Sequence, residues 1–168
     1  AQRERLWALI AATPMLDWLL LTKRPENIAR MLPESLDRSN VWLGTTCENQ
    51  AAADRRIGYL LDVKAAQRFV SYEPALGPLT LRDWKIDWLI AGGESGTSAR
   101  SPEIGWFRDV RDECAFRGIA FHFKQWGEWL PICSAYDSDR LTLLDEYEGK
   151  VNLACIESSG AIAWLSVI

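Results

Sequence analysis

The chain has 168 residues, of which 48% are hydrophobic, and it carries a formal net charge of −4. This length predicts one domain with a substantial core. The negative balance excludes a protein whose entire surface binds nucleic acid, because such binding relies on Lys and Arg displacing counterions. A local basic pocket remains compatible with this charge.

Helical and strand-like patterns alternate along the first 131 residues, as is typical of a parallel β/α sheet. The predicted helices are Gln2–Ala12, a short helix over residues 28–32, Gln50–Leu61, and a helix that is capped by Ser101 and ends at Gly118. In the helix Gln50–Leu61, the side chains of Asp54, Arg55 and Arg56 are predicted to face solvent. The predicted strands are Trp18–Thr22, one that begins at Val41, Arg68–Glu73, Asp87–Ala91 and Ile119–Lys124.

The last part of the chain has a different pattern. Residues 132–168 are more acidic, and segments at 151–157 and 161–168 predict two strands joined by a Ser-Ser-Gly turn. We interpret residues 1–131 as a β/α partial-barrel domain and residues 132–168 as a C-terminal extension packed on the same domain. Five mostly parallel strands are too few for a closed eight-stranded barrel. The predicted class is therefore α/β, as a partial TIM-like barrel or an open five-stranded sheet with outer helices and a C-terminal β addition.

Each predicted strand of the first part ends in polar or charged residues. The last residues of these five runs are Lys23, Glu48, Glu73, Glu94 and Lys124, and they stand 21 to 30 residues apart. That spacing fits one strand plus one crossover. Because the carboxyl ends of parallel strands meet at one edge, where sites of such folds lie, we expect these side chains to gather there.

The candidate substrate-binding residues lie at or directly after these strand ends. They are Lys23, Arg24, Glu48, Asn49, Glu73, Glu94, Ser95, Lys124, Gln125 and Trp126. The cations suit phosphate or carboxylate groups, and the carboxylates suit hydroxyl, amino or methionyl groups. Trp126 could stack on a base, with core packing as its other use. The alternative interpretation of the whole set is an ion-pair network that closes the end of the sheet.

Other kinds of site have weaker support. The four cysteines, Cys47, Cys114, Cys133 and Cys155, form no CxxC pair or cluster, so we expect free thiols and no zinc or iron–sulfur site. The single His122 could join carboxylates around a divalent metal, but an interior histidine is commoner, so no metal and no catalytic residue are assigned. Without an apolar run of roughly 18 residues or a charged leader, the predicted location is cytoplasmic, with no membrane partner.

Five sequence strings carry a family resemblance. In chain order they are LLLTKRPENIARML, NVWLGTTCENQAAADRRI, RFVSYEPALGPLTL, DWLIAGGESGTSARS and FHFKQWGEW. Together they resemble an uncharacterised phage-protein family, known by the gene-product numbers thirty-seven and sixty-eight, whose members look like relatives of radical S-adenosylmethionine enzymes of the spore photoproduct lyase kind. The resemblance covers about residues 1–130, and the tail after Pro131 departs from the family pattern.

The resemblance implies that full-length members carry a further amino-terminal part, with a CxxxCxxC-like stretch for a [4Fe–4S] cluster and for S-adenosylmethionine. No such stretch occurs in this chain, which corresponds to the carboxyl-side half of the barrel. We therefore expect this chain alone to bind no cofactor. We also expect the missing amino-terminal half, or a partner subunit, to cover the open sheet edges.

Two functions follow from the residues and the resemblance together. The first is the substrate-side segment of a radical S-adenosylmethionine-like enzyme that acts on a nucleotide or nucleic-acid substrate and is not catalytically competent as this chain alone. The alternative is a stand-alone, non-enzymatic, phage-encoded binding or inhibitor protein derived from that fold. The sequence does not distinguish between substrates or oligomeric states.

Overall fold

The structure is a computed structural model that describes residues 2–132, 151–154 and 163–167. Its helices are α1 (Gln2–Ala12), α2 (Ile28–Met31), which follows a 3-10 turn at Pro25–Asn27, α3 (Gln50–Leu61) and α4 (Ile104–Arg117). Its strands are β1 (Trp18–Thr22), β2 (Val41–Thr46), β3 (Gln67–Tyr72), β4 (Trp88–Gly92), β5 (Ala120–Gln125), β6 (Trp129–Ile132), β7 (Val151–Ala154) and β8 (Ala163–Val167).

Strands β1 to β5 form one sheet in sequential order, and every neighbouring pair is parallel. The sheet stays open, with β1 and β5 as its two edges. Each of the five predicted strands is found, with ends that differ by about a residue. The α/β prediction is therefore confirmed as an open, five-stranded parallel sheet with outer helices, an arrangement consistent with part of a barrel.

All four helices pack on the same face of this sheet, which we call the helix-covered face. One buried cluster joins α1, α2 and α3 to β2 and contains Ile10, Ile28, Leu32, Val41, Leu43, Leu60 and Val63. A second cluster joins α3 and α4 to β3 and β4 and includes Ile57, Val70, Tyr72, Leu89, Ala91, Phe107, Val110 and Cys114. Burying each large aliphatic side chain contributes about 1.5 to 3 kcal/mol, so these two clusters hold the helices on the sheet.

The opposite face, which we call the helix-free face, carries aromatic side chains. Trp88 lies at its centre, with ring centroids 6.0 Å from Trp42, 5.7 Å from Phe69 and 6.3 Å from His122. Gly44 is the register partner of Phe69, and a Cβ atom at Gly44 would lie 2.3 Å from the Phe69 ring. The missing side chain of Gly44 therefore leaves the space in which that ring lies.

The C-terminal addition is a second, antiparallel sheet in the order β6-β8-β7. The two strands predicted in the tail are confirmed as β7 and β8, and they pair with each other. Strand β6 at Trp129–Ile132 was not predicted, because its four residues include a proline and offer too little periodicity. The Ser-Ser-Gly turn lies outside the described residues.

The start of α4 differs from the prediction. The helix begins at Ile104, its N-cap is Glu103 in an extended conformation, and no side chain caps it. The predicted cap at Ser101 is therefore wrong. The loop before the helix is held at the end of β4 instead, because both the backbone N–H and the guanidinium of Arg100 donate to Glu94. The predicted end at Gly118 is confirmed, with the left-handed φ of 69° that favours glycine.

Candidate functional site

Charged side chains line the edge of the sheet at which β1 to β5 end. We call this edge the carboxyl-end rim and define it by Lys23, Glu48, Glu73, Glu94 and Lys124 together with the arginines that bind them, Arg56 and Arg100. Because side chains alternate along a strand, residues 44, 46 and 48 share the helix-free face, as do 69, 71 and 73 and, on β5, 120, 122 and 124.

Glu48 is bound by two cations from different elements of the fold. Lys23, directly after β1, donates to its Oε1, and Arg56 Nη1 of α3 donates to its Oε2 at 2.8 Å. Arg56 Nη1 also donates to the Thr46 carbonyl at 2.7 Å. Burial alone would raise the pKa of Glu48, but hydrogen bonds from Lys23, the backbone and Arg56 outweigh it and lower the pKa. Glu48 is therefore ionised at neutral pH despite being mostly buried.

Glu73 reaches across a neighbouring strand. Its Oε2 accepts a hydrogen bond from Ser71 Oγ at 3.2 Å, and its Oε1 lies 3.2 Å from Lys124 Nζ at the end of β5. Strand β4 lies between them, and a Cβ atom at Gly92 would come within 2.8 Å of Glu73 Oε1. Because Gly92 at the end of β4 has no side chain, the side chains of Glu73 and Lys124 can come into contact across this strand.

Glu94 forms a two-pronged ion pair with Arg100. The guanidinium donates at 2.8 Å from Nε and 2.5 Å from Nη2, and the Arg100 backbone N–H donates at 2.8 Å. These hydrogen bonds lower the pKa of Glu94 to about 2. The pKa of Arg100 is raised by Glu94 first and, to a smaller extent, by the charge of Glu48, so Arg100 lies within the electrostatic field of both carboxylates.

Polar contacts also join the two loops that follow β4 and β5. Gln125 Nε2 donates to Ser95 Oγ at 3.0 Å, and Gly96 N–H donates to a Glu128 carboxylate oxygen at 2.9 Å. These contacts hold Ser95 and Gln125, both predicted binding residues, beside the Glu94–Arg100 pair. The end of the sheet is therefore tied together by side chains from loops far apart in the sequence.

Three of the predicted binding residues have other contacts. Asn49 caps α3, since its Oδ1 accepts from the Ala52 N–H at 3.0 Å. Trp126 packs with its ring centroid 5.4 Å from Phe107 and 4.3 Å from Phe123, against the second buried cluster. Arg24 points into a pocket beside the rim. A direct ligand contact from any of the three stays a prediction.

Two arginines of the rim were missed by the sequence analysis. Arg56 was predicted to face solvent, and that prediction is wrong, because its guanidinium binds the end of β2. A signal existed: Arg56 lies four positions after Ala52 and three after Ala53, both buried, so it belongs to the stripe that faces the sheet. Arg100 gave no such signal, because a loop has no periodicity.

The described residues do not fit an iron–sulfur cluster. Cys47 and Cys114 are both buried in the second cluster, and burial raises the pKa of their thiols to about 12 and about 11. Cluster ligands are thiolates, which these two side chains resist forming. Among the described residues no group of three or more His, Cys, Asp or Glu side chains could hold a metal ion. Nor does any described helix have the length and apolar character needed to cross a membrane.

Residues 1–152 match the protein family described as "Protein of unknown function (DUF5131)". The chain belongs to this family. The match includes the entire carboxyl-end rim, and it runs past Pro131, so the DUF5131 pattern also takes in part of the tail that the sequence analysis separates from the family. No curated protein and no solved structure shows significant similarity to this DUF5131 chain. A relation to radical S-adenosylmethionine enzymes stays a hypothesis.

Proposed function

We propose that this DUF5131 chain binds a phosphate-bearing, nucleotide-like substrate at the carboxyl-end rim, as the substrate-side segment of an enzyme similar to radical S-adenosylmethionine enzymes. The observation that supports it most directly is the contact between Glu73 and Lys124 across Gly92, because it brings charged groups from β3 and β5 together at one edge. Sites of parallel β/α folds lie at this edge.

The exposure of the rim charges favours ligand exchange over a purely structural network. Lys23 and Lys124 are 58% and 54% exposed, whereas their partners Glu48 and Glu73 are 17% and 18% exposed. Each carboxylate also has a second donor, Arg56 for Glu48 and Ser71 for Glu73. Lys23 can therefore turn to a phosphate oxygen while Arg56 still compensates the charge of Glu48, and Lys124 can do so while Ser71 still donates a hydrogen bond to Glu73.

The helix-free face supplies apolar surface below these charges. Trp42, Phe69 and Trp88 are in contact there, on the face from which Glu48 and Glu73 also project. Aromatic rings contribute about 1 to 3 kcal/mol per stacked base in proteins that bind single-stranded nucleic acid. Trp42 and Trp88 lie six residues before Glu48 and Glu94, about 20 Å along the strands, so an extended nucleic-acid segment could place one phosphate at the rim and a base over these partly exposed rings, whereas a single nucleotide would reach only the rim.

A second candidate function is a binding protein without catalysis, for which the described residues suffice. Neither described thiol suits an iron–sulfur cluster, so this part of the chain supplies binding and orientation only. Both candidate functions place the ligand at the carboxyl-end rim. They differ in whether radical chemistry then acts on that ligand.

A calorimetric titration tests the shared part of the proposal. AMP and S-adenosylmethionine are titrated into the protein and into a Lys124→Met variant, with Lys85→Met as the matched control, because Lys85 is exposed just before the amino-terminal end of β4. We expect Lys124→Met to weaken AMP binding about tenfold, the loss of one charge-assisted contact, and Lys85→Met to leave it unchanged. Absent AMP binding, or equal effects of the two variants, would reject the rim as the substrate site.

A second experiment separates the two functions. After anaerobic incubation with iron and sulfide, the visible absorption of the protein is measured, together with the heat of S-adenosylmethionine binding. Binding of S-adenosylmethionine that Glu73→Gln weakens would favour the enzyme segment, because a methionyl ammonium group needs a carboxylate. AMP binding without S-adenosylmethionine binding would favour the binding protein, whereas absent visible absorption is expected for both candidates, because the cluster is assigned to the amino-terminal part.

A further inference from the structure

A cationic pocket lies next to the rim, between the loop that follows β1 and helix α3. It is lined by Lys23, Arg24, Glu26, Arg55, Arg56 and Tyr59 and has a volume of about 690 Å³. Pockets for small molecules commonly have volumes of about 300 to 1,000 Å³. We call it the arginine pocket, and it is distinct from the substrate edge proposed above, with which it shares only Lys23 and Arg56.

The charge of the arginine pocket is unbalanced. Four of its six lining side chains are cations, and Glu26 is the one acid among them. Lys23 and Arg56 both bind Glu48, whereas neither Arg24 nor Arg55 forms an ion pair with any carboxylate in the described part of the chain. In a protein of net charge −4, this is a local excess of positive charge, because Glu26 and Glu48 together balance only two of the four cations.

An exposed aromatic ring completes the pocket. Tyr59 is 53% exposed, although large apolar rings are normally covered, and it lies one helical turn after Arg55 on α3. Guanidinium groups bind phosphate in a two-pronged geometry, and an adjacent ring can cover the group that the phosphate carries. The positive charge, the volume and the exposed ring of the pocket therefore all suit a phosphate group that carries an organic substituent.

We propose that the arginine pocket binds a phosphorylated small molecule, a diphosphate or phosphomonoester, with Arg24 and Arg55 on the phosphate oxygens and Tyr59 against the organic group. Arg56 and Lys23 hold the side of the pocket next to Glu48 and add to its positive field. Glu26 lowers the affinity and restricts the pocket to strongly anionic ligands.

Calorimetry with pyrophosphate and with ADP tests this site. The titrations use the Lys124→Met protein, in which binding at the rim is expected to be about tenfold weaker. We expect the further change Arg24→Ala with Arg55→Ala to weaken pyrophosphate binding by at least about tenfold, and Arg108→Ala with Arg111→Ala, which removes two exposed arginines from α4, to leave it unchanged. Glu26→Gln should strengthen binding about two- to fivefold.

Two comparisons define the ligand further. ADP should bind more tightly than pyrophosphate, and Tyr59→Ala should remove that difference while leaving pyrophosphate binding unchanged. A proposal of this kind fails if neither ADP nor pyrophosphate binds, or if the Arg24/Arg55 and Arg108/Arg111 variants behave alike. Binding of an oligonucleotide without binding of ADP would also overturn it, in favour of an extended polyanion. Arg24, Arg55 and Tyr59 lie outside the rim, and rim binding is weakened to the same extent in every protein compared, so these outcomes are separate from a failure of the function proposed for the rim.

Discussion

The two faces of the five-stranded sheet are built from different chemistry. On the helix-covered face, aliphatic residues such as Leu43, Val70 and Leu89 are almost completely buried under four helices. On the helix-free face, the rings of Trp42 and Trp88 remain partly exposed, and the strands end there in charged side chains. The difference indicates that one face maintains the fold while the other remains accessible to a ligand.

The helix-covered and helix-free faces should therefore differ in how well they tolerate substitutions. A side chain under a helix touches atoms on all sides, so its loss leaves a cavity that the fold cannot refill. An exposed side chain on the helix-free face, such as Leu19, borders open space, so neighbours and solvent can adjust, whereas Phe69 on the same face is buried.

Leu89→Ala should be the most destabilising of the changes considered. Leu89 is fully buried between β4 and the helices, and such a truncation costs about 3 kcal/mol through lost burial and a residual cavity. Urea unfolding followed by tryptophan fluorescence measures the change. The control is Leu19→Ala on the helix-free face, where the side chain is 47% exposed and the expected cost is below about 1 kcal/mol. Equal costs at the two positions would contradict the division between the faces.

Gly44→Ala should be the most harmful change on the helix-free face itself. Its new Cβ atom would lie 2.3 Å from the Phe69 ring, which is already confined by Trp88, so the ring must move at a cost of about 2 kcal/mol. Thermal and urea unfolding of Gly44→Ala, Phe69→Leu and the double variant form a double-mutant cycle. We expect the double variant to be more stable than the sum of the single effects. Strict additivity would mean that Gly44 does not make room for the ring.

The fold could be predicted from the sequence because buried parallel strands appear as continuous apolar runs. The run at Val41–Thr46 and its counterparts gave five strands in order, the apolar periodicity of Gln50–Leu61 gave α3, and Gly118 gave the end of α4. The start of α4 could not be predicted in the same way. Ser101 and Pro102 have the right local chemistry for a cap, but the tertiary contact between Arg100 and Glu94 fixes the loop in another conformation.

The site could be predicted only in part. Carboxylates at strand ends follow from sequence spacing, because strand ends meet at one edge. Their partners do not, since Arg56 comes from a helix and Arg100 from a loop, and each is brought to its carboxylate by the folded chain. The passage of Glu73 over Gly92 likewise depends on strand order, which one sequence does not contain.

Glu48→Gln should have a smaller effect that depends on pH. The folded pKa of Glu48 is lowered, so its contribution to stability is fully present above the unfolded pKa, near 4.5, and is lost as the pH falls through the folded value. At pH 7 we expect a loss of about 1 kcal/mol, because Lys23 and Arg56 lose their charged acceptor. Urea unfolding of both proteins between pH 3 and about pH 7 measures the difference. It should shrink as the pH falls below about 4.5; a constant difference would indicate that the charge of Glu48 is not what matters.

Arg100→Ala should change overall stability least, because the guanidinium is largely exposed, and its main effect should be on a single pKa. Hydrogen bonds from Arg100 lower the pKa of Glu94 to about 2, so their removal should return it towards the ordinary value of 4.5. The sign follows from linkage: a depressed carboxyl pKa stabilises the fold above pH 4.5, and that contribution is lost as the pH falls towards 2. Carbon-detected NMR titration of the Glu94 carboxyl group in the two proteins measures both values. Arg111→Ala, which removes an exposed arginine from α4, should leave the Glu94 titration unchanged. If Arg100→Ala also left the pKa of Glu94 unchanged, the Glu94–Arg100 pair would not form in solution. Arg100 would then not connect the end of β4 with the charge of Glu48.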